Sequence, residues 1–288
     1  MIAHVFPGQG AQKRGMGQGL FDDVAEFREL EPHIDALLGY SIRQLCLEDP
    51  DNRLKETQYT QPALYVVNAL HHWKARADGA QPAMLAGHSL GEYNALLAAG
   101  SFSFLTGLRL VQKRGELMSQ ARDGGMAAVL GMGVDKIGGV LMSNQLSAID
   151  IANHNTPQQV VISGKTVDLE RARPLLEAAG AQTVVTLPVS AAFHSRYMDK
   201  AARAYEDFLW GYSFKAPVTP VIANVTGLPY ACEGDATQQI RTMLVKQITH
   251  SVHWSSSIQY MRAQGALDFM EMGPGNVLTR MLAHITKT

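Results

Sequence analysis

Short apolar runs alternate along the chain with longer stretches in which apolar positions recur every three or four residues. This alternation predicts strands joined by helices. Strands are expected at "IAHVF" (2–6) and "AMLA" (83–86), with helices from about Gln61 to Arg76, from Ser89 and from about Ser103. Such an order belongs to an α/β fold with a mostly parallel sheet, whose functional loops gather at the carboxyl ends of the strands. Both "FPGQG" and "GHSLG" fall at such ends.

After "ARDGG" (121–125) the pattern changes. "MAAVLGM", a helix near 134–143, "AIDIAN", "QQVVISG", a helix near 166–179 and "TVVTLPV" follow one another. This is β-α-β-β-α-β, the order of a ferredoxin-like subdomain. The expected organisation is therefore a core of residues 1–124 and 192–288 with an inserted subdomain over 125–191, and Gly124-Gly125 as the hinge. From about Ser195 the α/β pattern resumes, ending in "DFMEM", the turn "GPG" (273–275) and a last helix.

Composition narrows the function classes. Of the 288 residues, 46% are hydrophobic and 18% charged, as in an ordinary globular protein. The formal net charge of −1 offers no basic surplus for nucleic acid or anionic membrane, so neither is expected as a partner. Cys46 and Cys232 have no C-x-x-C spacing and no histidine cluster, so they read as filler and no metal site is expected. "MIAHVFPGQG" turns too early for a signal peptide and no apolar run approaches transmembrane length, so a cytoplasmic protein is expected.

Chemistry concentrates at Gly87-His88-Ser89-Leu90-Gly91, which fits G-x-S-x-G, a strand-to-helix turn that exposes a serine Oγ. There the Leu90 amide could donate to an oxyanion. The plain alternative makes Ser89 an N-cap, with Glu92 completing a capping box. A nucleophile needs a base, and His194 in "PVSAAFHSRYM" stands where the chain returns to the core; His154, His250 and His253 are rivals. Arg114 lies on an apolar helix face, with Leu110, Val111, Leu117 and Met118 as its helical neighbours and no acid among them. Its charge must be met by a distant carboxylate or by a ligand, unless the side chain snorkels to water. Gln9 sits in a Pro-Gly turn whose backbone N–H groups could serve an oxyanion or could simply turn. His71 and His72 read as a solvated helix end.

Taken together, "FPGQGAQKRGMG", "TQPALYVVNAL", "GHSLGEYNALLAAG", "LVQKRGELM", "NTPQQVVISG", "AAFHS" and "EMGPGNVLTRML" resemble the malonyl-CoA:acyl carrier protein transacylases, in family order from Val5 to about Leu282. The resemblance implies an α/β-hydrolase-like core, Ser89 as nucleophile, His194 as general base, and Gln9 with the Leu90 amide as oxyanion hole. It implies Arg114 as partner of the malonyl carboxylate, with Phe193 and His88 also at the substrate. An aromatic residue at Phe193 accompanies malonyl rather than methylmalonyl use. The family is expected to orient its histidine through a backbone carbonyl, in the segment where this chain has His253, whose imidazole could then perturb His194. Malonyl-CoA and a phosphopantetheinylated acyl carrier protein are the implied partners, with no metal or other cofactor. Within the family, "AAFHSRYM" and "QYTQPALYVVNAL" look most like free-standing acyltransferases of polyketide synthases. A fatty acid enzyme and an acyl-carrier-protein hydrolase are the alternatives.

Overall fold

The computed structural model describes residues 1–231 and 233–285, so Cys232 lies outside the described residues. The strands are β1 (Ile2–Phe6), β2 (Met84–Gly87), β3 (Gly124–Leu130), β4 (Asp150–Thr156), β5 (Gln159–Lys165), β6 (Thr183–Thr186), β7 (Val221–Ile222) and β8 (Asp268–Glu271). They form two four-stranded sheets, one ordered β7-β2-β1-β8 with parallel pairings and one ordered β4-β5-β3-β6 with antiparallel pairings. In the parallel sheet Phe6 pairs with Gly87, so the chain leaves the two central strands, β1 and β2, side by side at their carboxyl ends. The loop Pro7–Gln9 and the turn at Ser89 are neighbours for that reason, and the His88 amide donates to Phe6 O at 2.9 Å.

The Thr57–Ala77 helix is buried along most of its length and packs on the helices Gly91–Ala98 and Phe104–Ser119. It begins four residues before the expected start at Gln61. Pro62 is a helix-start signal in sequence, but here a full turn precedes it, and Thr60 Oγ1 donates back to Glu56 O at 3.0 Å. The same helix runs past His71 and His72, which are therefore not a solvated end. His72 is buried, with its Nδ1 3.0 Å from Nδ1 of the buried His4 on β1.

Gly124 and Gly125 are the first two residues of β3, in register with Lys165 and Gly164. They belong to a hydrogen-bonded ladder and do not form a free hinge. A Cβ on Gly124 would come within 2.6 Å of the Ala192 amide nitrogen, so glycine is required by close approach of the returning chain. Along β4 the antiparallel sheet is tied to the segment that joins the helices Ala236–Thr249 and Trp254–Ala263. The His154 amide donates to Val252 O and the Val252 amide to Ala152 O, each at 2.9 Å. This docking sets Met126 of β3 and Asn153 of β4 into the wall of the cavity at Ser89.

The His4 and His72 pair carries a stability prediction. Burial, reinforced by the Arg76 charge, pushes His4 down to about 4. Burial, then the charges of His4 and Arg76, does the same to His72. Both are neutral in the fold, whereas in the unfolded chain they bind protons from about pH 6.5 downward. Between those values the unfolded state holds more protons, so stability is full above about pH 6.5 and falls as pH drops toward 4. The loss is about 1.4 kcal/mol per pH unit for each proton withheld. Urea denaturation from pH 7.5 to 4.5 should show the midpoint falling more steeply for wild type than for His72→Asn, and equal slopes would contradict the pair's neutrality.

Candidate active site

Ser89 stands between β2 and the Gly91–Ala98 helix with φ 51°, in the left-handed region that a non-glycine residue rarely occupies. The flanking glycines make that turn possible. A Cβ on Gly87 would lie 1.8 Å from the Gly91 carbonyl carbon, and one on Gly91 would lie 2.0 Å from Phe6 O. The Gly8 backbone crosses the turn so closely that a Cβ there would meet His88 O at 2.4 Å. The capping-box alternative does not hold, because the N-cap is Leu90 with no side-chain cap bond, and Glu92 points into the interior. Ser89 Oγ lies instead 2.8 Å from His194 Nε2.

His194 also has a left-handed backbone, with φ 56°, and is buried. Its Nδ1 lies 2.7 Å from the Gln247 carbonyl oxygen. A carbonyl only accepts, so Nδ1 carries the proton and Nε2 presents its lone pair to Ser89. Gln247 is in the last turn of the Ala236–Thr249 helix, where carbonyls have no partner further along the helix and the dipole end is negative. Burial, then the positive charge of Arg114, pushes His194 down to about 3, with the Gln247 carbonyl pulling the other way. The imidazole is thus a neutral acceptor at neutral pH.

The orienting carbonyl is Gln247's, six residues before His253, which corrects the expected location. His253 packs beside His154 with ring centroids 4.7 Å apart. His250 Nδ1 lies 2.9 Å from Lys246 O at its own helix end. None of the three rivals hydrogen-bonds Ser89. The second imidazole whose charge bears on His194 is His88.

Arg114, 1% exposed, reaches the same point from the Phe104–Ser119 helix. Its Nη1 donates to Gln61 Oε1 at 2.9 Å, and its Nη2 to Gln247 Oε1 at 2.8 Å and to Ser89 Oγ at 3.2 Å. Among the described residues no carboxylate lies within ion-pair distance of it.

Ser89, Arg114 and His194 line a cavity of about 100 Å³ together with Gln9, His88, Leu90 and Phe193. Phe193 therefore faces the site. The Gln9 amide donates to Thr57 Oγ1 at 3.3 Å, while no hydrogen-bond partner of the Leu90 N–H occurs among the described residues. His88 Nε2 is held 2.8 Å from Asn155 Oδ1, with its ring edge-on to Trp254. A larger cleft of about 650 Å³ shares Gln9, Met118, Leu187, Val189 and Phe193 with the inner cavity, and brings Lys55 and Arg122 to the mouth. Among the described residues no group of three or more His, Cys, Asp or Glu is placed to hold a metal ion, and no helix is long and apolar enough to cross a membrane.

Sequence reasoning missed Gln61, Gln247, Asn224 and Tyr230 and read Glu92 only as a cap. Gln247 was open to the argument that singled out Arg114, since it follows the buried Ile240 and Leu244 at helical spacing.

The family model described as acyl transferase domain matches residues 3–287. The polyketide biosynthesis malonyl CoA-acyl carrier protein transacylase PksC of Bacillus subtilis (strain 168) is 52% identical over 289 residues, covering 100% of this chain and 98% of that protein. The malonyl CoA-acyl carrier protein transacylase of Escherichia coli (strain K12) is 39% identical over 294 residues, covering 100% and 93%. A crystal structure of the malonyl CoA-acyl carrier protein transacylase from Burkholderia pseudomallei superposes with a TM-score of 0.93 at 45% identity, over 100% of this chain and 98% of that one. With the match running nearly from end to end, the chain belongs to the acyl transferase domain family.

Proposed function

We propose that this protein moves a malonyl group from malonyl-CoA to the phosphopantetheine thiol of an acyl carrier protein through an acyl ester on Ser89, supplying extender units in trans to a polyketide synthase. The polyketide role is supported by 52% identity to a relative named for polyketide biosynthesis, against 39% for one named only as a transacylase. The parallel sheet with its serine turn supports an α/β-hydrolase-like core of residues 1–124 and 192–288. The order β4-β5-β3-β6 supports a ferredoxin-like insert over 125–191.

In the first half-reaction His194 Nε2 takes the Ser89 proton as Oγ attacks the thioester carbon. The oxyanion rests on the Leu90 N–H and the Gln9 loop, and the collapsing intermediate expels the coenzyme A thiolate, which His194 protonates. In the second, the carrier's thiol gives its proton to His194 and attacks the acyl ester, and Ser89 leaves with that proton returned. The pantetheine arm of either donor or acceptor reaches Ser89 through the outer cleft.

The observation that carries the malonyl reading is Arg114: a buried cation, 3.2 Å from the nucleophile, facing the cavity with amides but no carboxylate as partners. A substrate carboxylate completes its pairing. Arg114→Ala should lose malonyl transfer while keeping or improving the use of uncharged acetyl-CoA. The malonyl-to-acetyl ratio in kcat/KM should move by roughly tenfold to hundredfold, the worth of a charge-assisted pair. An unchanged ratio would remove the carboxylate from Arg114.

Phe193 fills the space beside the acyl α-carbon in this reading. Admitting a branch methyl there costs roughly 1–3 kcal/mol, so wild type should prefer malonyl-CoA over methylmalonyl-CoA by at least about tenfold. Phe193→Ser should narrow that gap without abolishing acylation. Both thioesters competed in one tube, with the acyl-enzyme masses read out, check this; equal labelling of the wild type would refute it.

A further inference from the structure

Glu92 is the only acidic side chain among the buried described residues, and every partner it has is a donor. The Tyr230 hydroxyl donates to its Oε1 at 2.6 Å, the Asn224 amide N–H to the same oxygen at 3.2 Å, and Gln247 Nε2 to its Oε2. Two of these partners then hold the nucleophile's own peptide. Asn224 Oδ1 accepts from the Ser89 N–H at 2.7 Å and its Nδ2 donates to Gly87 O at 2.6 Å. Gln247 Nε2 donates to Ser89 O at 2.9 Å. The same Gln247 amide presents its oxygen to Arg114, and its main-chain carbonyl receives His194.

An amide can face either way, and only its partners decide which. Arg114 offers donors alone, so it requires the Gln247 oxygen. Glu92 as a carboxylate accepts alone, so it requires the Gln247 nitrogen. With both present the orientation is fixed; with a neutral amide in place of Glu92, a donor can face a donor and the constraint is lost.

We propose that Glu92 is a positioning residue: as an anion one amide removed from Arg114, it locks the Gln247 side chain and so aims Arg114 at the acyl cavity and braces the strained Ser89 peptide. This rests on the reading of Ser89, His194 and Arg114 given above. Glu92 lines neither the inner cavity nor the outer cleft, and its effect is read through Arg114. It also balances the Arg114 charge in the free protein, leaving that cation pre-aimed before a substrate carboxylate arrives.

The charge state of Glu92 has a consequence in solution. Burial pushes its carboxyl up to about 7, against the bonds from Tyr230, Gln247 and Asn224 and the Arg114 charge, with Tyr93 as the remaining titratable neighbour. His194 stays neutral far below that. With Glu92 titrating near neutrality, kcat/KM for malonyl-CoA is expected to show an acid limb there.

The test compares wild type, Glu92→Gln and Arg114→Ala in acyl-enzyme formation from malonyl-CoA and from acetyl-CoA, read as initial rates by intact mass. Glu92→Gln should slow malonylation by roughly tenfold to hundredfold, as when a charged group loses its partner, and should narrow the malonyl-to-acetyl ratio in the direction of Arg114→Ala. A fraction of misfolded protein would lower both rates together and leave the ratio alone. If Arg114→Ala narrows the ratio and folded Glu92→Gln keeps the wild-type value, the proposal is overturned while the Arg114 reading stands. If Arg114→Ala itself keeps the ratio, that reading fails and takes the proposal with it. Should Glu92→Gln not fold, Tyr230→Phe removes one donor from the carboxylate and must move the acid limb of kcat/KM to higher pH; a profile superimposable on wild type would overturn the proposal.

Discussion

Ser89→Ala should gain no mass on incubation with malonyl-CoA, while the wild type gains one malonyl group. The substitution removes the only atom that can carry the ester and little else. The residue already holds a left-handed backbone, so alanine adds no strain that serine did not bear. Arg114 keeps its bonds to Gln61 and Gln247, and His194 keeps its bond to the Gln247 carbonyl. The variant should therefore fold with its site otherwise intact, and labelling of Ser89→Ala at the wild-type rate would show that the nucleophile lies elsewhere.

The second large effect is expected at His194. His194→Ala should slow acyl-enzyme formation by roughly 10²–10⁴, the contribution of a positioned general base. The geometry leaves no substitute: Arg114 Nη2, the other group on Ser89 Oγ, is a donor and cannot accept the proton. No carboxylate is needed behind the histidine, because the carbonyl-rich end of the Ala236–Thr249 helix fixes its tautomer and favours the imidazolium that forms during attack. Single-turnover mixing of the variant with malonyl-CoA measures this, and a near-normal rate would contradict the assignment of the base.

Much of this was legible in sequence because the signals are local. Apolar runs marked β1 and β2, and the order of elements in the antiparallel sheet followed from periodicity between residues 124 and 186. Gly87 and Gly91 flag a crowded turn in the sequence itself, and Arg114 flags itself as a cation on an apolar face. What stayed hidden was long-range. That Gln247 would orient His194, 53 residues away, depends on where a helix ends relative to a loop, and local pattern does not encode that distance. His253 attracted attention as an imidazole, whereas the contact uses a main-chain carbonyl that any residue could supply. Glu92 fits a capping box in sequence, and only burial reveals that its carboxylate turns inward. His72 read as a helix end because its partner, His4, lies 68 residues earlier on β1.

The central claim is transfer through an acyl-serine to a carrier thiol rather than to water. The most direct measurement isolates the malonylated wild type free of malonyl-CoA and divides it between buffer alone and buffer with a phosphopantetheinylated acyl carrier protein from a polyketide synthase, following both masses with time. The account predicts a malonyl-enzyme that persists in buffer and loses its group rapidly to the carrier protein, which gains the same mass. Loss of the group to water at the same rate in both arms, with the carrier unlabelled, would make the protein a hydrolase and contradict the account.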